Sequence, residues 1–99
     1  MTADIGRWFG QQVPATWFAT PPEVRVDRDE ILVVGVLPEG IAPRAFREHT
    51  RDARVRIASG AEARWQRKVS WAVRVEAVEH RFTSVSVPVM SRLRIDERL

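Results

Sequence analysis

The clearest hydrophobic signal is the unbroken run Ile31-Leu32-Val33-Val34-Gly35-Val36-Leu37. An apolar, β-branched run without polar alternation predicts a central strand covered on both faces. Gly35 inside it predicts a bulge or a close approach by another element. Ahead of it, Val24-Arg25-Val26 alternates as a short strand, with Asp27-Arg28-Asp29-Glu30 as a polar turn between. Pro43 to about Arg67 reads as one helix, since a proline in the first turn loses no hydrogen bond. With helical periodicity, Ala42, Phe46, His49, Thr50, Ala53, Ile57, Gly60 and Ala61 share an inward face. Arg44, Glu48, Arg51, Asp52, Val55, Ser59 and Glu62 fall on the opposite, solvated face. Gly60 costs about 1 kcal/mol of helix propensity against Ala, which a close contact or a break in the helix would explain.

Val69, Trp71, Val73, Val75 and Ala77 then alternate with polar or small residues as a half-buried strand. Val78-Glu79-His80 reads as a turn. A long period-2 segment follows, with Thr83, Val85, Val87, Val89, Ser91, Leu93 and Ile95 on one face. Pro88 lacks a ladder donor, so it sits on an edge or divides that segment. The order is ββαββ. It predicts an α+β fold: a four-stranded, mainly antiparallel sheet with one long helix packed on one face.

Residues 1–22 show no helical or strand period. They hold two Trp-Phe pairs, Trp8-Phe9 and Trp17-Phe18, among Gly10, Pro14 and Pro21-Pro22. They read as an aromatic arm with two uses open to it. The rings either pack on the domain's own sheet, or Trp8, Phe9, Trp17 and Phe18 dock a partner or a second copy. The organisation expected is the arm (1–22), a ββαββ domain (23–89) and the start of a further element (90–99).

The 99 residues suit one domain, with 44% apolar and 29% charged residues in an ordinary globular balance. There is no cysteine, hence no disulfide and no thiolate metal site. The longest apolar stretch, 31–38, is far too short to cross a bilayer. No apolar signal core opens the chain, so a cytoplasmic location without membrane partners is the default expectation.

Charge changes the picture less than it first promises. An isoelectric point near 10.9 accompanies a net charge of only +3. The two agree because little titrates between neutrality and pH 10: two His, the single lysine Lys68, and no Tyr or Cys. The remaining basic residues are all arginine. GC-rich coding gives such a bias, yet arginine also makes bidentate contacts to phosphate and guanine. Clustering, not the total, marks a binding face.

His49 and His80 have no nucleophile, carboxylate pair, phosphate loop or metal-ligand spacing attached to them, so no enzyme and no cofactor are expected. Arg92 and Arg94 lie on the same side of the last strand pattern as Met90. Arginines at alternate strand positions suit a ribbon in the major groove. Asp96 then makes a good N-cap, and Glu97-Arg98-Leu99 would continue as a helix. One turn is not a stable helix, so the chain reads as the front part of a longer protein.

Four blocks resemble an uncharacterised actinobacterial protein family: Trp17-Phe18 with Pro21-Pro22-Glu23-Val24, residues 27–35, Arg67-Lys68-Val69-Ser70-Trp71, and residues 82–90. The resemblance implies no activity and no catalytic residues. It implies a continuation into a helix pair similar to a ribbon-helix-helix DNA-binding region, with residues 90–99 as the ribbon and the start of its first helix. Met90, Arg92 and Arg94 would then be the outward, base-facing positions of a dimer. The expected function is a non-catalytic regulatory module, the N-terminal part of a DNA-binding, transcriptional regulator-like protein acting as a homodimer on duplex DNA. The alternative is a protein-interaction or dimerisation module with no nucleic-acid role.

Overall fold

The computed structural model describes residues 2–83. Its elements are α1 (Thr2–Gln12), β1 (Glu23–Val26), β2 (Glu30–Val36), α2 (Pro43–His49), α3 (Arg51–Trp65), β3 (Lys68–Val75) and β4 (Val78–Thr83). Met90, Arg92, Arg94 and the long alternating segment after Thr83 lie outside the described residues.

The strands form one sheet in the order β1-β2-β3-β4. Asp27 makes the first turn by accepting the backbone N–H groups of Asp29 at 2.9 Å and Glu30 at 2.8 Å. β1 pairs antiparallel with β2, setting Val24 opposite Val33. β2 pairs parallel with β3, Glu30 opposite Lys68 and Val33 opposite Trp71. β3 pairs antiparallel with β4, Trp71 opposite Phe82. The α+β class holds, but the sheet is mixed. Its central pair is parallel because the helical crossover returns the chain to the end where β2 began.

The single long helix is replaced by two segments that bend at Thr50. Thr50 Oγ1 donates to the Phe46 carbonyl at 2.7 Å, a back-bond that bends helices. The backbone ladder continues through the bend, from Thr50 N–H to the Phe46 carbonyl and from Arg54 N–H to that of Thr50. Arg54 Nη2 donates to the Arg47 carbonyl at 2.7 Å, and its Nε to Thr50 Oγ1 at 2.9 Å. The buried stripe therefore runs Phe46, Thr50, Arg54, Ile57, Ala58, Ala61. His49, expected on it, is exposed.

The N-terminal arm is also corrected. Ile5 and Phe9 lie one turn apart on α1 and are fully buried, with Val13 beside them in the core. Gly6 and Gly10 lower the helix propensity around this spacing and obscure it in the sequence. The arm's rings pack on the domain's own sheet: Phe9 and Phe18 are buried, and Trp8 and Trp17 lie half-buried against the core. The segment is pinned where Ala19 N–H donates to the Val36 carbonyl at 2.8 Å. Gly35 is the close approach expected of it, since a Cβ there would collide with the Phe18 ring. At Gly60 a Cβ would come within 3.3 Å of the Trp8 indole.

The last hairpin turns at Glu76-Ala77, not at 78–80. Both residues have positive φ (50° and 69°), and Val75 pairs with Val78. That is the mirror-image two-residue turn that matches strand twist. Neither residue is the usual Asn or Gly, so the sequence does not announce it.

All three helices cover one face of the sheet. On the other face, the central Leu32, Val34 and Ala72 are buried, and among the described residues no second layer covers them. Charged side chains surround them: Arg25 pairs with Glu23 at 3.1 Å, Arg74 with Glu79 at 3.4 Å, and Arg81 with Glu30. Arginine stems cover apolar floor while keeping their heads in water.

Candidate anion-binding groove

Arg44, Arg47 and Arg51 recur at helical spacing, so α2 and the first residue of α3 present them along one line. Beside that line runs β4, carrying His80, Arg81 and Phe82. Between the two lies a groove of about 650 Å³, also lined by Pro43 and Glu48. Among the described residues, the three helical arginines thus share the groove with a single carboxylate, Glu48. Glu48 is engaged by Arg44 at 3.5 Å, one turn away. Arg81 is engaged by Glu30 at the back of the strand. Arg47 and Arg51 have no carboxylate partner among the described residues.

The inner wall is unusual chemically. The Arg54 side chain is 1% exposed and, among the described residues, has Thr50 and the Arg47 carbonyl as its hydrogen-bond partners. Its Nη1 has none. A buried charge without a counter-ion is costly. Here the cost is offset in part by the face of Phe82, with Arg54 Cζ 4.7 Å from the ring centroid and Arg47 Cζ 5.7 Å away. Burial, then the charges of Arg47 and Arg51, pull the Arg54 pKa down to about 10. Phe82 in turn meets Phe46 at 6.5 Å, and Phe46 meets Trp17 at 5.6 Å, so the groove floor is continuous with the aromatic core.

Glu30 organises the outer face of the same strands. It accepts Ser70 Oγ–H at 2.6 Å and pairs with Arg81 and Lys68. The serine hydroxyl and the two cations hold its carboxyl below the usual carboxylate range, although partial burial opposes them.

Residues 3–81 match the model of the Rv1265-like protein, N-terminal domain. The chain belongs to the Rv1265-like family. It is 45% identical over 103 residues to the uncharacterized proteins Rv1265 of Mycobacterium tuberculosis and Mb1296 of Mycobacterium bovis. That alignment covers 92% of this chain and 46% of each relative, so the chain spans about half their length. No solved structure matches it.

The actinobacterial resemblance is thereby shown for the N-terminal part of the family, and the ribbon-helix-helix resemblance falls outside the described residues. In this Rv1265-like domain the sequence gathers Arg44, Glu48 and Arg51 on a solvated face. It says nothing of Arg47 or Arg54, because their importance depends on β4 lying across the bend. Among the described residues no cluster of three or more His, Asp or Glu could hold a metal ion, and no helix is long and apolar enough to cross a membrane.

Proposed function

We propose that the domain is a non-catalytic regulatory module of a DNA-binding, transcriptional regulator-like protein, and that the groove between α2 and β4 contributes phosphate contacts to it. The observation that carries this reading is the concentration of Arg44, Arg47 and Arg51 along one groove wall, with Glu48 the one carboxylate among the described lining residues. Arginine matches phosphate oxygens with a planar fork, and such clustering attracts a polyanion where a uniform +3 would not. Phosphate contacts fix register on the duplex, while base-reading belongs to Met90, Arg92 and Arg94 in this reading. The working unit would be a homodimer on duplex DNA.

Titration of the chain with duplex DNA across salt concentrations tests this. Three phosphate contacts lose roughly fortyfold in affinity between 50 and 200 mM salt. The double variant Arg44→Gln, Arg51→Gln flattens the slope by about two contacts' worth. Absence of binding at low salt overturns the reading. A mass that doubles with protein concentration, without DNA binding, favours the interaction module instead.

A further inference from the structure

We propose that the groove holds one tetrahedral oxyanion, the terminal phosphate of a phosphomonoester, between Arg47 and Arg51 on its helical wall and His80 and Phe82 on its strand wall. This rests on the reading of the groove as an anion face and narrows the ligand. Three observations carry it. Arg47 and Arg51 face His80 and Phe82 of β4 across a concavity. A duplex backbone crossing the domain meets the rim of such a groove, whereas a phosphate at the end of a molecule reaches the floor. Next, Arg47 and Arg51 have no carboxylate partner among the described residues, so the site lacks negative charge. Last, the buried Arg54 charge lies against Phe82, has no counter-ion among its partners and leaves Nη1 without a hydrogen-bond partner. Within a low-dielectric wall that charge is weakly screened and adds to the potential over the floor. A dianion therefore gains more here than the single charge of a diester. Glu48 opposes the ligand, but Arg44 engages it.

The ligand chemistry has two sources, a small phosphomonoester or the 5′ end of a nucleic acid. The test is a series of ¹H–¹⁵N spectra of the whole chain titrated with inorganic phosphate, at a pH where it is dianionic, against chloride at equal ionic strength. Saturable shifts confined to Arg47, Arg51 and residues 80–82 are expected. Arg51→Gln weakens binding about tenfold, one charge-assisted contact. Arg56→Gln, on exposed α3 surface away from the groove, leaves it unchanged. Shifts that chloride reproduces, or equal affinity in Arg51→Gln, overturn the proposal. Glycerol phosphate and duplexes with 5′-phosphate or 5′-hydroxyl ends identify the source. Tighter binding of the phosphorylated end supports nucleic acid, and binding of glycerol phosphate without that preference supports a small molecule. Salt-dependent duplex binding that ignores both the 5′ group and added phosphate overturns this proposal while leaving the DNA reading intact.

Discussion

Arg54 concentrates the chemistry of the domain in one side chain. It fastens the bend of the helical crossover through the Arg47 carbonyl and lies against Phe82. Truncation to alanine opens a cavity and strands that carbonyl, so Arg54→Ala costs about 3 kcal/mol. Arg54→Met refills the volume and removes the buried charge, and is expected to be at least about 1 kcal/mol more stable than Arg54→Ala in urea unfolding. Glu30 sets the acid behaviour. Its folded pKa is lowered, so its contribution is present above the ordinary glutamate value and is lost as pH falls through the folded one. Urea midpoints should drop below about pH 4.5. Glu30→Gln should lose about 1–2 kcal/mol at neutral pH and show a shallower acid decline. Gly35→Ala places a methyl in the Phe18 ring and costs about 1–3 kcal/mol by thermal unfolding.

At the scale of elements, what the sequence reveals depends on whether a signal is local. The strands β1, β2 and β3 are visible because β-branched runs and alternation are written into consecutive residues. Gly35 betrays its close neighbour because a glycine in a strand core has few other reasons. The bend at Thr50 is not visible, since a threonine inside a helix takes its meaning from the buried Arg54 beside it. The helical nature of residues 2–12 is hidden by two glycines whose cost is recovered only when Ile5 and Phe9 enter the core. The Glu76-Ala77 turn is the plainest case. Both residues occupy left-handed backbone without the side chains that favour it. The double substitution Glu76→Asn, Ala77→Gly should therefore stabilise the domain by about 1 kcal/mol, read as a higher melting temperature with β4 unchanged. The groove is half legible: three of its residues share a helix face in the sequence, but its strand wall comes from a hairpin whose turn lies two residues ahead of the one the sequence suggests.

For the molecule as a whole, the two faces of the sheet divide the work. One is closed by α1, α2 and α3 over an aromatic core. The other is finished by a lattice of arginine and glutamate over the apolar side chains of Leu32, Val34 and Ala72. That lattice is nearly charge-balanced, so the excess of positive charge is displaced to the rim between α2 and β4, where the proposed anion contacts lie. The central ladder adds a constraint of a different kind. The two hairpins close over short turns, but the pairing of Glu30 with Lys68 must wait until the whole helical crossover has been threaded back. Long-range parallel registry is entropically expensive to begin. The outer ribbons should accordingly gain hydrogen-exchange protection before the seam between them. A bound anion bridging crossover and last ribbon would slow the reopening of that seam, so ligation would be felt as a longer native lifetime.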